Sequence, residues 1–268
     1  MGKYDSQLNE LFKEWIARSK EYDDAKTFNE EIVFTYDGLM HKPDPKNDVE
    51  QEWDNPDNRR IMFLLKDQPS DYPDDARKWL CDEPNDSDYN LGVKASNREI
   101  RSKFIHNIAN VLYGLSQAGV GKPIEFESLS FEAVRDNFLA YPFAFIETKK
   151  QGGATWIKNA TLDQYLDRYG DLLEKEISIL NPNMIVCTHH LIYGKVIKLY
   201  GGEEKMLKIP EHNSIRFCPE QNKLIFLSYH PSAIKSYREI YYGVMSHFHA
   251  FLQTDYAPKF FNGTPHHR

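Results

Sequence analysis

The chain has 268 residues, of which 41% are hydrophobic and 27% are charged, a composition typical of a folded globular protein and unlike a disordered or fibrous one. Its net charge of −7 at pH 7 argues against a protein that binds nucleic acid over its whole surface, because phosphate binding usually requires a basic face. Three widely separated cysteines indicate neither a disulfide framework nor a CxxC metal site. Without a signal-peptide core or an apolar run near ~20 residues, we expect a cytoplasmic protein with no membrane association.

The N-terminal fifth of the chain, residues 1–56, is predicted to be a helical extension of the main domain. Apolar residues at helical spacing in 5–22, among them Trp15, predict a helix. The apolar unit at 31–39 predicts a short strand and turn. Residues 41–58 are acidic and broken by prolines, which favours a surface connection or a mobile loop.

Four apolar segments predict strands that alternate with amphipathic helices: 61–65, 142–147, 184–189 and 224–229. Capping boxes predict where the intervening helices begin: Ser96 to Glu99, Thr161 to Gln164 and Ser236 to Glu239. Residues 214–227 predict a hairpin that leads into the fourth strand. The alternation predicts one α/β/α three-layer domain over residues 1–256 with a four-stranded, mainly parallel sheet, followed by a flexible tail at 257–268.

Ionisable side chains follow each predicted strand. In an open α/β sheet, ligands bind outside the carboxyl ends of the strands, so we expect these groups to share one edge of the sheet. An acid and an imidazole there, Asp67 and His230, suit acid–base or electrostatic catalysis. The neighbouring candidates for substrate binding are Lys66, Gln68, Pro69, Glu147, Lys149, Ser232 and Ile234.

The pair His189-His190 raises the possibility of a metal site with His230, Asp67 or Glu147. Adjacent residues leaving a strand point to opposite faces, and the chain has no HExxH or Cys-His spacing, so we expect no metal. Neither a GxGxxG nor a GxxxxGK loop is present, and we expect no cofactor.

Four segments, taken in order and spacing, resemble the motifs of the uracil-DNA glycosylase superfamily: LLKDQPSDY at 64–72, FAFIETKK at 143–150, LNPNMIVCTHH at 180–190 and LSYHPSAI at 227–234. YDGL at 36–39 and ETKKQGG at 147–153 are similar to motifs of a bacterial branch of glycosylase-like proteins. The resemblance covers roughly residues 30 to 252 and implies the α/β/α fold of that superfamily.

The resemblance also implies roles for individual residues. Asp67 matches the carboxylate that orients water or stabilises positive charge on the sugar, and His230 matches the histidine that stabilises the departing base. Ile234 stands where the superfamily has an apolar wedge that enters the duplex as a nucleotide is flipped out. Ser232 matches a phosphate contact.

One position departs from the superfamily. Glu147 stands where an asparagine reads the uracil edge with one donor and one acceptor. An ionised glutamate only accepts hydrogen bonds, so we expect it to repel a carbonyl oxygen and to prefer a base edge that offers a donor. Leu65 and Lys66 replace a glycine and are expected to crowd the approach of a base.

The sequence therefore predicts a monomeric protein that hydrolyses the N-glycosidic bond of a damaged or deaminated base in DNA. The DNA is expected to bind through a local basic rim: Lys66, Lys149, Lys150, Lys158, Lys235 and Arg238. One alternative is an inactive superfamily member that binds nucleic acid, a nucleotide or a protein partner in the same cleft. Another is a hydrolase of free nucleosides.

Overall fold

The computed structural model describes residues 2–44, 46–67, 72–81, 100, 102–152 and 157–262. The α-helices of this part of the chain are α1 (Lys3–Glu21), α2 (Val49–Asp54), α3 (Lys103–Gln117), α4 (Phe131–Ala140), α5 (Asn159–Leu180), α6 (His190–Leu199), α7 (Tyr237–Leu252) and α8 (Ala257–Asn262). The strands are β1 (Thr27–Phe28), β2 (Glu31–Ile32), β3 (Thr35–Tyr36), β4 (Gly38–Leu39), β5 (Ile61–Asp67), β6 (Asp74–Asp75), β7 (Phe143–Lys149), β8 (Met184–Cys187), β9 (Leu207–Ile209), β10 (His212–Cys218) and β11 (Lys223–Leu227).

A seven-stranded mixed sheet organises the fold, with the strand order β4-β7-β5-β8-β11-β10-β9. Its centre consists of the four strands predicted from sequence, β7, β5, β8 and β11, which run parallel to one another. The predicted hairpin is confirmed, since β10 pairs antiparallel with β11. The prediction of four strands was nevertheless too low. The antiparallel strands β10 and β9 extend one edge, and β4 pairs antiparallel with β7 at the other.

Both faces of the sheet are covered, because side chains of the central strands alternate between two apolar clusters. Phe63 and Phe145 point to one side, where α3, α4 and α7 pack. Leu64 and Ile146 point to the other, where α1, α5 and α6 pack. Continuous apolar runs in the central strands, which sequence shows clearly, are what a parallel sheet buried on two faces requires. The part of the chain described contains no helix long and apolar enough to cross a lipid bilayer.

Local signals explain most helix ends. The predicted capping box at Ser236 and Glu239 is confirmed at the start of α7. Asn181, with a left-handed φ of 45°, ends α5 just before a proline, as expected for a helix stop. The capping box predicted at 161–164 was wrong, because α5 already begins at Asn159 with Lys158 at the cap position. The box predicted at 96–99 lies outside the described residues.

The N-terminal segment contributes to the core. Residues 41–58 were expected to be a surface connection, yet α2 forms within them. Asp48 caps this helix by accepting hydrogen bonds from the backbone N–H groups of Glu50 and Gln51. Trp53 of α2 is fully buried, and its indole N–H donates to the carbonyl of Leu180 at 2.9 Å. The spacing of Val49 and Trp53 on one helix face was the signal overlooked.

The C-terminal segment differs from the tail predicted at 257–268. Residues 257–262 form α8, and Phe260 is buried against Phe217 and Phe251. The ring of Phe260 packs beside β10 and helps to hold this helix in place, although the terminal position of the segment had indicated a flexible tail. Residues 263–268 lie outside the described residues.

The capping box of α7 allows a direct test of helix stabilisation. Ser236→Ala removes the hydroxyl that accepts from the N–H of Glu239, so we expect the free energy of unfolding to fall by about 1 kcal/mol. Urea denaturation followed by circular dichroism measures this change. Ser178→Ala on the exposed face of α5 is the matched control, with an expected change within about 0.5 kcal/mol. Equal effects of the two substitutions would contradict the role of the cap.

Candidate functional site

The carboxyl ends of the four central strands form one edge of the sheet and carry most of the predicted site residues. The sequence predicted that the first central strand ends at Leu65, with Lys66 and Asp67 in the following loop. In the structure β5 continues to Asp67, so both residues belong to the strand. In the parallel register Asp67 lies opposite Lys149 of β7. β8 separates β5 from β11, and a strand spacing of about 4.8 Å therefore places the strands that deliver Asp67 and His230 roughly 10 Å apart.

The carboxyl group of Asp67 is half-buried and held by the backbone. Its Oδ2 accepts a hydrogen bond from the N–H of Ile157 at 3.2 Å. Burial raises the pKa of Asp67 above its ordinary value, while this N–H and the positive charges of Lys149 and Lys66 oppose the rise. A carboxylate in such surroundings is more basic than a solvated aspartate and is therefore better suited to accept a proton or to face a developing cation.

The ring of His230 is oriented by the loop that carries it. The backbone N–H of Ser232 donates to Nδ1 at 3.2 Å, and the Ser232 hydroxyl lies 2.7 Å from the same nitrogen. Because Nδ1 accepts, the neutral ring carries its proton on Nε2. Burial and the positive charge of Lys66 lower the pKa of His230 to about 4. His230 is thus a neutral hydrogen-bond donor at neutral pH.

Two side chains of α3 support the loop after β11. The amide of Asn107 donates to the carbonyl of Pro231 at 2.7 Å. Lys103 donates to the carbonyl of Lys235 at 2.6 Å. These contacts place the loop against the helix layer, and the Phe104 ring stands with its centre 5.9 Å from that of His230.

Phe104 was assigned to a helix stripe from its apolar spacing, and the structure shows a second role. Its ring centre lies 6.0 Å from that of Phe145 on β7 and 5.9 Å from that of His230. The Phe104 ring therefore lies between a side chain of β7 and the loop that follows β11. A flat apolar surface beside His230 is well suited to contact an aromatic ring, but the sequence has no local signal that separates it from an ordinary core phenylalanine.

An open cleft of about 390 Å³ lies beside His230, between β8, β11 and α7. Asp67 and Glu147 do not belong to its lining. His189 occupies the cap position of α6, where its Nδ1 accepts from the N–H of Leu191. Burial, followed by the charges of His190 and Lys66, lowers the pKa of His189 to about 4. The cleft is lined by Thr188, His189, His190, Ser214, Leu227, Ser228, Tyr229, His230, Gly243 and His247. Within the described ranges, no three His, Cys, Asp or Glu side chains are grouped to hold a metal ion.

Glu147 lies deeper than the sequence suggested. The residue is 3% exposed, and its backbone N–H donates to Oδ2 of Asp37 at 2.7 Å. Its Oε2 has no hydrogen-bond partner among the described residues. Burial, followed by the charges of Asp37 and Asp67, raises the pKa of Glu147 well above its ordinary value. These surroundings disfavour the ionised side chain that we expected from the sequence, because burial and nearby negative charges both oppose ionisation.

Lys150 was predicted to be part of the basic rim and instead lies in the core, with 0% exposure. Its ammonium group lies 2.6 Å from both oxygens of Asp37 and 2.9 Å from Oε1 of Glu176 on α5. Successive residues at a strand end alternate between faces, so Lys149 and Lys150 could not both point to solvent on one side. That alternation, together with the aspartate of YDGL at 36–39, was the signal available in the sequence.

The rest of the predicted basic rim is weaker than the sequence indicated. Lys149 is half-buried and donates to the carbonyl of Gln151. Lys235 forms an ion pair with Glu239 at 3.2 Å, and Arg238 forms one with Glu127 at 2.6 Å. Lys158 is exposed. The positive charge beside Asp67 therefore comes from Lys149 and Lys66.

Ser232 and Ile234 are exposed on the loop after β11, and the side chain of Ile234 is fully accessible to solvent. Gln68 and Pro69, also predicted as site residues, lie outside the described residues. The structure therefore brings together Lys66, Asp67, Glu147 and Lys149 on the neighbouring strands β5 and β7, whereas His230 follows β11, two strands away from β5.

A scan against models of known protein families gives no match, and a search of curated proteins gives no significant match. The class of protein is thus defined by its architecture. It is a mixed α/β protein with a seven-stranded sheet, a parallel centre and helices on both faces, and it carries a row of ionisable side chains at the carboxyl ends of its central strands.

The neutral state of His230 can be measured directly. We expect the ¹⁵N chemical shifts of the ring to indicate the Nε2–H tautomer at pH 6, with protonation only near pH 4, because burial and Lys66 disfavour the imidazolium form. A His230→Gln variant assigns the signals. In the urea-unfolded chain the same ring is expected to titrate near its ordinary value of about 6.5. A midpoint at or above 6 in the folded protein would contradict this account.

Proposed function

We propose that this protein is a DNA glycosylase-like enzyme that hydrolyses the N-glycosidic bond of a damaged or deaminated base. The observation that carries the proposal is the placement of a half-buried carboxylate, Asp67, and a neutral imidazole, His230, at the same edge of a parallel sheet. Support also comes from the ordered resemblance of four segments to the uracil-DNA glycosylase superfamily. The α/β/α fold of that superfamily is compatible with the sheet of this protein, which is covered by helices on both faces.

Asp67 would act on the sugar side of the bond. As the base leaves, positive charge develops on the sugar, and a nearby carboxylate in surroundings of low polarity stabilises that charge more strongly than one in water. The same carboxylate can accept a proton from attacking water, and its raised pKa improves this function.

His230 would act on the base side. A base departs with negative charge on an oxygen atom, and the Nε2–H of a neutral ring can donate a hydrogen bond to that oxygen. The contacts from Ser232 to Nδ1 hold the ring in the required orientation before the base arrives. The positive charge of Lys66 adds a favourable potential for an anionic leaving group, so binding to the departing base strengthens as the bond breaks.

The loop after β11 would meet the DNA. Ile234 is fully exposed, which costs free energy in water unless the side chain has a partner, and an apolar wedge between base pairs would supply one. The rings of Tyr229 and Tyr237 on the same loop and at the start of α7 are also partly exposed, and aromatic rings of this kind can stack on bases.

Asp67→Asn and His230→Ala each test the proposed chemistry. We expect each substitution to slow base release from uracil- or hypoxanthine-containing oligonucleotides by about 100-fold or more, because each removes a charge or donor used in the transition state. Single-turnover assays measure the rate. Asp163→Asn, an exposed aspartate on α5, is the matched control with no expected change. Base release that persists at the wild-type rate in both site variants would overturn the mechanism.

Ile234→Ala tests the wedge separately. We expect slower base release from duplex DNA, by about 10-fold, and little change with single-stranded DNA, because only the duplex must be opened to extrude a nucleotide. Comparing the two rates in one assay series measures the effect. Equal losses on both substrates would exclude a wedge at this position.

A protein that only binds is the second candidate, and one observation favours it. Asp67 lies outside the cleft that His230 lines, on a strand roughly 10 Å away. This candidate predicts binding to DNA without release of any base. Binding measured at two salt concentrations would then weaken with salt according to the number of phosphates contacted.

A further inference from the structure

A second cavity, which we call the basic pocket, lies at the carboxyl end of β7. Its volume is about 170 Å³, and it is enclosed by the turn after α1, the end of β7 and the first turns of α5. Three cations are among the described residues that line it: Lys26, Lys149 and Arg168. Because β7 is the neighbour of β5 on the side away from β8 and β11, the basic pocket and His230 lie on opposite sides of Asp67.

The inner wall of the basic pocket is held by hydrogen bonds within the protein. The Tyr165 hydroxyl donates to Oε1 of Gln151 at 2.7 Å and accepts from the indole N–H of Trp15 at 2.8 Å. The side-chain amide of Gln151 donates to the hydroxyl of Ser19. Gln151 and Tyr165 are both buried. Since their polar groups already have partners, this wall gives the cavity a fixed shape and leaves the binding of a ligand to the charged side chains.

Lys149 supplies a half-buried ammonium group to the basic pocket. Its Nζ donates to the backbone carbonyl of Gln151, and an ammonium group has two further N–H donors. Within the described residues, neither Lys149 nor Lys26 forms an ion pair with a carboxylate. Burial lowers the pKa of Lys149, the carboxylate of Asp67 opposes this change, and the nearby positive charge of Lys26 adds to it. An anion between the two ammonium groups would relieve their repulsion.

The carboxylates that line the basic pocket leave an excess of positive charge. The two oxygens of Asp24 lie 3.2 Å and 3.1 Å from Nη1 of Arg168, and one of them also accepts from the hydroxyl of Tyr169. Asp23, on the exposed turn after α1, is the second carboxylate. Three cations therefore face two carboxylates. This balance suits a ligand with one negative charge and several acceptor oxygens, which describes a phosphodiester group.

The order of groups along the edge of the sheet agrees with the order of groups in a nucleotide. Lys149 ends β7, Asp67 ends the neighbouring β5, and His230 follows β11, two strands farther along. In a nucleotide, the sugar joins the phosphate to the base. A sugar placed beside Asp67, with its base directed toward His230, therefore carries its phosphate on the side of Lys149.

We propose that the basic pocket binds a phosphate group, and that in DNA this is a backbone phosphate of the nucleotide whose base is released. The pocket itself supports the phosphate, and the inference rests on the proposed function only for the source of that phosphate. Lys26 and Arg168, which the sequence did not place in the basic rim, supply the charge together with Lys149. Such a contact positions the sugar against Asp67 and carries no sequence information.

The salt dependence of DNA binding tests this contact without any need for catalysis. We expect Lys26→Gln to weaken binding of the full-length protein to a duplex oligonucleotide, and to reduce the slope of log affinity against log salt by about 1, because one phosphate contact is lost. Fluorescence anisotropy at several salt concentrations measures both quantities. Lys198→Gln is the matched control with an unchanged slope, since this exposed lysine ends α6 at the opposite edge of the sheet.

Inorganic phosphate tests the basic pocket without DNA. NMR titration of the full-length protein at constant ionic strength is expected to shift the amide signals of Gln151 and Thr161, with binding about 3-fold weaker in Lys26→Gln. Asp23→Asn removes a negative charge and is expected to tighten binding by a similar factor. Asparagine tolerates the left-handed φ of 56° at this position, so the turn is retained.

The two measurements separate the possible sources of the phosphate. Phosphate binding that responds to Lys26→Gln and Asp23→Asn, together with an unchanged salt slope for DNA, would support the site and show that its ligand is a free phosphate or a small phosphate ester. No response of either ligand to Lys26→Gln would overturn the proposal. If both responses occur and no base is released from any oligonucleotide, the phosphate site stands and only the glycosylase reaction is refuted.

Discussion

The contact between Lys150 and Asp37 connects the parts of the molecule on which the site depends. Asp37 precedes β4, at the edge of the sheet, and Lys150 follows β7. Their pairing, with the N–H of Glu147 also bound to Asp37, joins the N-terminal segment to the end of β7 in the fully buried interior. A buried pair of this kind adds little net stability over an apolar packing, but removal of one partner leaves an uncompensated charge. It therefore specifies one arrangement of the strand end and excludes others.

The loop after β11 shows the same principle with weaker contacts. His230 projects beyond the sheet, where a free imidazole would sample several orientations and would titrate within the physiological range. The N–H of Ser232 fixes the acceptor nitrogen, Asn107 holds the carbonyl of Pro231, and the ring of Phe104 covers one side. These neighbours reduce both the freedom of the ring and its access to water. The position and the protonation state of His230 thus have a common origin in burial.

The central strands could be predicted from the sequence because a parallel sheet buried on both faces requires continuous apolar runs. The edge strands could not, since β4 and β9 are two and three residues long and carry no periodic pattern. For the site, the sequence identified Asp67, His230 and Glu147 through their position after apolar runs and through their resemblance to a known set of motifs. It did not reveal the burial of Glu147 and placed Lys150 in the basic rim, because burial depends on partners distant in the chain. Asp37 and Glu176 lie more than 100 and 26 residues from Lys150, respectively, and neither separation follows a local pattern.

The protonation states together determine what the edge of the sheet can do. Burial lowers the pKa of His189 and of His230 to about 4, so both rings are neutral at neutral pH, and burial raises the pKa of Glu147. The charge at the ends of β5 and β7 therefore comes from Asp67, Lys66 and Lys149. Burial also lowers the pKa of Lys149, so this second positive charge is held less firmly than that of a solvated lysine. An edge with few charges can exclude water and admit an uncharged base, and Asp67 is the carboxylate there, opposed by the positive charges of Lys149 and Lys66. Asp67 is therefore the group against which a developing positive charge would be stabilised, and this arrangement follows from burial on the sheet and not from any special chemistry of the aspartate itself.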